Sequence, residues 1–266
     1  MTGPTASRRR QRRLTFVSFA LLALVWIVLT TPFGDKPLVA PLFLPSPKSV
    51  GETFVNLMKN GYQGKSLVWH LGISLMRFGL GFGITVLVAV PVGLWMGMNE
   101  SVKAVLDPPI EITRPMPKLA LLPLLIIWFG IGEVAKVVII VLALFPILSI
   151  SAMQAVRGVG RRKIQAAMAL GASKGMIFRR VIFPASLPGI FTAIRVSIGL
   201  GVTMLVGAEM IATTAGIAWM AMSASDFLLT NVVVVGALIM ATLGYTLDLG
   251  ARALENRIVH WGGKEG

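Results

Sequence analysis

A chain of 266 residues in which 55% of the side chains are hydrophobic and 14% charged, with a mean hydropathy of +0.80, is too apolar to be a soluble domain of its size. A net charge of +14 could suggest nucleic acid, but the cations concentrate at the N-terminus and in one central loop, where the positive-inside rule alone puts them, so no nucleic-acid partner is expected. There is no cysteine, which excludes disulfides, thiolate metal sites and cysteine-based catalysis.

Six apolar runs of spanning length follow one another, which predicts an all-α polytopic membrane protein with six transmembrane helices. Residues 1–13 hold Arg8, Arg9, Arg10, Arg12 and Arg13 without an acid, ahead of the apolar run 14–29. No small-x-small cleavage site precedes Pro32, so this reads as an uncleaved first span with its N-terminus inside. Residues 32–47 contain Pro37, Pro41 and Pro45 and form an extended outer connection. Ser46 and Pro47 then start a short amphipathic helix to about Asn60, with Val50, Phe54, Leu57 and Met58 on one side.

Residues 67–78, with Trp69, His70 and Arg77, suit the outer interface leading into a second span over 78–98. Gly79, Gly81, Gly83, Gly93 and Gly97 there permit close helix packing. A short inner loop over 99–107 leads to a third span, 108–129, broken by Pro115, Pro117 and Pro123. A proline-interrupted span persists only where neighbours or water satisfy the freed carbonyls, so Pro115 and Pro117 are expected to face the bundle interior or a pathway. The fourth span covers 135–155, the fifth 189–212 and the sixth 231–251, with a short outer helix over 216–229. Six crossings put both termini on the inner side, with a tail over 258–266.

The loop over 157–188, RGVGRRKIQAAMALGASKGMIFRRVIFPASLP, carries seven Lys or Arg and no acid, and so stays inside. Its Ala-rich segment 164–170 reads as a short helix, with Gly171 at C′, Ser173 as a new N-cap and Pro184 closing the second helix. Apolar Met176, Ile177, Val181 and Ile182 among Lys174, Arg179 and Arg180 form a surface on which a partner is expected to dock.

The spacing Gln165-Ala166-Ala167, Gly171, Val181-Ile182-Phe183-Pro184 resembles the EAA loop of bacterial ABC importer permeases, with Gln165, Val181 and Phe183 standing where the pattern has Glu, Ile and Leu. From about Val39 onward the chain is also similar to the taurine, alkanesulfonate and nitrate permeases of that class, notably in PLFLPSPKSV and LDPPIEITRPMPKLALLPLLIIWFGIGE. The resemblance implies a type I importer bundle in which 67–257 is the transmembrane domain and 157–188 is a coupling loop. Residues 1–66 would supply the tail, first span and periplasmic connection. The coupling residues it implies are Gln165, Ala166, Ala167, Gly171, Ala172, Ser173, Lys174, Met176, Ile177 and Pro184. The implied partners are two ATPase subunits that bind the ATP, a periplasmic solute-binding protein, a second permease copy and the bilayer. Taurine or another sulfonate is the solute it favours, nitrate the next.

No catalytic or cofactor set is apparent. His70 and His260 fall at opposite membrane faces, and no GxxxxGK[ST] phosphate loop exists. Intramembrane charge is the sharper clue, because such residues face protein or water. Glu209 is read either as part of the outer gate or as an assembly residue bonded to Thr213, Thr214 or nearby backbone. Arg195 either snorkels to inner headgroups or attracts an anion, and Asp248 and Arg252 pair at i, i+4. An ion-coupled secondary carrier is the rival reading, disfavoured by the single strong intramembrane acid and the absence of an evident repeat.

Overall fold

A computed structural model describes residues 4–33, 36–211 and 213–261. The last residue of the predicted fifth span, Ala212, and residues 262–266 of the predicted tail lie outside the described residues, as do residues 1–3. The chain divides into two compact units, one made of residues up to Val68 together with Met220–Leu238, the other of Trp69–Trp219 with the residues from Ile239 on.

The first unit is built on helix α1 (Pro4–Thr30), whose apolar stretch Arg13–Thr30 is almost wholly exposed, as a helix solvated by lipid would be. Its end is tied to the proline-rich connection: the Trp26 indole donates to Pro45 O (2.9 Å) and the Val39 N–H to Leu29 O (3.0 Å). Pro32–Phe33 and Lys36–Pro37 pair as a minimal antiparallel ribbon within that connection. Ser46 then caps α2 (Pro47–Asn60) by accepting the Ser49 N–H at 3.2 Å, with Pro47 in the first turn where its missing N–H costs nothing. Val50 and Leu57 are buried, but Phe54 and Met58 are exposed, so only half of the predicted apolar stripe is covered. Tyr62 and Gln63 donate to the Ser223 hydroxyl, and the Thr230 hydroxyl donates to Leu42 O.

In the second unit α3 (Leu67–Met98) runs as one helix through Pro91. The predicted inner loop at 99–107 is helical instead: α4 (Glu100–Thr113) starts there because the Asn99 side chain accepts the Ser101 and Val102 N–H groups, Glu100 sits in the first turn, and Lys103 faces Asp107 at i, i+4. After a break at 114–117, a 3₁₀ turn (Lys118–Leu121) leads into α5 (Leu122–Phe129). The two halves meet at 88°, so the third span is a broken one; the other five are single helical stretches long and apolar enough to cross a bilayer. Helix α6 (Glu133–Arg157) precedes α7 (Arg161–Ala169) and α8 (Lys174–Ile177); α9 (Phe183–Glu209), α10 (Ile217–Asp226) and α11 (Thr230–Ile258) complete the order.

The core lies where α6 meets α9 and α3. Ala89, Leu148 and Ala193, one from each helix, pack in a single buried cluster. The approach of α3 to α6 is set by glycine: a Cβ at Gly97 would stand 2.6 Å from Val156 Cβ, one at Gly81 2.8 Å from Ile140 Cβ, and one at Gly93 would strike the Ser149 carbonyl oxygen. Gly79 and Gly83, by contrast, have open space around them. Gly93→Leu is therefore expected to destabilise the protein by about 1–3 kcal/mol or more, because backbone cannot give way, and to lower the melting temperature of the detergent-solubilised protein, while Gly83→Ala leaves it near wild type.

Candidate functional site

Four places gather the residues that the sequence singles out. At the loop, α7 ends in a Schellman motif: Gly171 has φ +78°, its N–H donates to Met168 O (2.9 Å), and the Ala172 N–H donates to Ala167 O (3.1 Å). Ser173 then caps α8 by accepting the Met176 N–H at 3.4 Å. Two of the apolar residues expected on the surface are buried. Ile177 and Ile182 join Val156 and Val159 in a core cluster, flanked by half-buried Ile164, Ala167 and Ala172. What the loop exposes is Met168, Leu170 and Met176, with Gln165, Ala166, Arg161, Arg162, Lys174, Arg179 and Arg180.

Pro184 does not close the second helix. The turn Phe178–Ile182 opens to π-helical bonding, with the Phe183 N–H reaching back five residues to Phe178 O, and Pro184 falls in the first turn of α9. A wider turn relieves the clash of a proline ring with the carbonyl four residues earlier, so helix runs on from Lys174 to Glu209.

The second place centres on Glu209, which is fully buried together with His70, Ser74 and, at 1% exposure, Arg77. Arg77 Nη1 donates to Glu209 Oε1 at 2.9 Å, while its Nε and Nη2 engage both oxygens of Glu133 at 2.5 and 2.8 Å. Lys136 faces Glu133 at 3.4 Å, so two cations balance two carboxylates. The neighbouring turn is held group by group: Arg77 donates to Ala215 O and Thr213 Oγ1, His70 Nδ1 accepts the Gly216 N–H, Ser74 accepts the Ile217 N–H and donates to Glu209, and Glu209 Oε2 accepts the Ala218 N–H. Gly216, at φ +125°, has no room for a Cβ because the Glu209 carboxylate fills that space.

His70 and Arg77 are thus buried within the protein; burial of the ion pairs is stable only because every charge has a partner. His70, Ser74 and Arg77 sit at i, i+4 and i+7, one stripe of α3, a spacing that carries the signal. Of the contacts expected for Glu209, the one to nearby backbone is present at the Ala218 N–H, while Thr213 bonds Arg77 instead.

The remaining candidates divide. Arg195 Nε donates to Asp248 at 3.0 Å and Nη1 to Glu255 at 3.4 Å, while Arg252 takes the other Asp248 oxygen at 2.7 Å, so the expected Asp248–Arg252 pair holds and Arg195 joins it. Pro115 and Pro117 are exposed at the 88° break. There Lys118 Nζ donates to the carbonyls of Thr113, Arg114 and Met116, which supplies the freed acceptors of the broken helix.

Apolar helices of spanning length, one of them broken, with a basic helix–turn–helix between the fourth and fifth, mark a multi-pass membrane protein. The family described as "Binding-protein-dependent transport system inner membrane component" matches residues 89–260, and the chain belongs to it. It is a permease subunit of an ABC importer, a class distinct from secondary carriers. The taurine transport system permease protein TauC of Escherichia coli (strain K12) is 41% identical over 256 residues, 96% of this chain and 92% of that one. The putative aliphatic sulfonates transport permease protein SsuC of Bacillus subtilis (strain 168) is 32% identical, over 98% and 94% respectively. A solved structure of the MetNI methionine ABC transporter in inward-facing conformations shares the fold, with a TM-score of 0.57 at 20% identity over 70% of this chain and 95% of that chain.

Removing one partner of a buried pair strands the other charge, at a cost of about 3–5 kcal/mol. Arg77→Met, which strands Glu209, is expected to destabilise the protein on that scale, and Glu209→Leu, which leaves Arg77 its bidentate pair with Glu133, by less. In the double variant Glu133 keeps Lys136, and the two effects are expected to fall well short of additivity in a thermal-unfolding double-mutant cycle.

Proposed function

We propose that this chain is the permease of an importer for small sulfonates, taurine first among them. It would work as two copies with two ATPase subunits that bind and hydrolyse ATP and a periplasmic binding protein that delivers the solute. The 41% and 32% identities to permeases named for taurine and for aliphatic sulfonates, each over more than nine-tenths of the chain, support the solute class. In this reading 67–257 is the transport domain, 157–188 meets the ATPase at the inner face, both termini are cytoplasmic, and Glu209 and Arg195 act by holding helices in place.

The observation that carries the partner assignment is the two-sided character of the loop. Ile177 and Ile182 anchor it to the end of α6, while Met168, Leu170 and Met176 stand exposed among cations. Leu170, 87% exposed at the end of α7, has no reason to face water in a protein working alone. Anchoring makes the loop rigid, and a rigid loop passes displacement at its tip to the helices on either side as a rigid-body shift.

ATP-driven uptake of labelled taurine by vesicles holding the whole assembly tests the function, and uptake by the permease alone would overturn it. Gly171→Glu strains a left-handed position and puts an acid on the docking face. It is expected to lose copurifying ATPase and at least tenfold in uptake while still inserting; Gly171→Asn, which tolerates that conformation, is expected to keep both.

A further inference from the structure

The break in the third span borders a pocket that neither the loop nor the Glu209 network uses. Its volume is about 260 Å³, and Ile110, Leu121, Leu142, Phe145 and Pro146 are among the residues that wall it, with Lys118 supplying the cation. Unlike Arg77, Lys136 and Arg195, each of which faces a carboxylate, Lys118 holds only neutral acceptors, the carbonyls of Thr113, Arg114 and Met116. Among the described residues it makes no ion pair.

The geometry points to an anion subsite here, with Lys118 as its specificity-determining residue and a small organosulfonate as its ligand. An ammonium group on a flexible four-carbon stem has three rotatable donors, so it can exchange a carbonyl for an anionic oxygen without moving the backbone. The exchange replaces an ion–dipole hydrogen bond by an ion pair, which is stronger beside apolar walls than in open water. The walls select the rest of the ligand. Leu121, Leu142, Phe145 and Pro146 offer contact to a short carbon stem and no polar partner, and the volume admits a small organic anion. A bare inorganic anion such as nitrate would reach Lys118 but leave those walls uncovered.

This inference rests on the sulfonate-permease reading, and two measurements separate them. Binding of ethanesulfonate to the purified permease–ATPase complex, without binding protein, reports the subsite; taurine uptake by the complete assembly in vesicles reports the function. Wild-type complex is expected to bind ethanesulfonate saturably and at least tenfold more tightly than nitrate. Lys118→Met should weaken binding tenfold or more, and Lys118→Arg should restore it to within about threefold. Leu142→Trp, which keeps the cation and fills the pocket, should abolish it with an unchanged melting temperature. If Lys118 only caps the broken helix, Lys118→Met lowers the melting temperature and leaves ethanesulfonate binding at the wild-type value. That result, or the lack of saturable binding in the wild type, overturns the subsite even where taurine uptake is intact. Absence of any sulfonate uptake by the wild-type assembly overturns the function itself.

Discussion

The constraint on which the second unit depends is the price of charge in an apolar interior. Arg77 is buried to 1% exposure and uses every donor: two on Glu133, one on Glu209, one on Ala215 O and one on Thr213. Each alternative placement of these helices would leave a carboxylate or a guanidinium without a partner in a medium where that is severely unfavourable. Through this one side chain the end of α9, the start of α6 and the turn before α10 are all held against α3. Van der Waals packing then fits around the arrangement, with glycines on α3 setting its distance from α6.

The loop follows a different logic, that of backbone conformation. Gly171 takes a left-handed φ that a side chain would resist, which lets the Ala172 and Gly171 N–H groups satisfy the last carbonyls of α7 and turns the chain sharply into the Ser173 cap. The turn is stiff because Ile177 and Ile182 are sunk in the same cluster as Val156 and Val159. Immediately afterwards a π-helical turn absorbs Pro184, so the loop runs into α9 without a joint that would dissipate motion. The coupling role proposed for this loop calls for such continuity.

Proline chemistry produces the third feature. Pro115 and Pro117 stop α4 and turn the chain by 88°, exposing carbonyls that a bilayer cannot hydrate. Lys118 supplies the donors, and the bend leaves a small apolar space beside it. The same residue therefore stabilises the break and puts a cation where the pocket opens.

Much was legible in the chain itself. Apolar runs of spanning length, the caps at Ser46, Gly171 and Ser173, and the Asp248–Arg252 spacing are local properties, governed by residues within one or two turns, and the sequence by itself determined them. It marked Glu209 as an intramembrane acid but could not say that Arg77, 132 positions earlier, neutralises it, since no periodicity links residues so far apart. The inward turn of Ile177 and Ile182, the partnering of Arg195 with Asp248, and the helical course of the chain through Pro184 were likewise decided by tertiary structure alone. Which side of a short helix is buried, which charges meet and whether a proline ends or merely widens a helix all depend on what the neighbouring helices present, and that is fixed only when they pack.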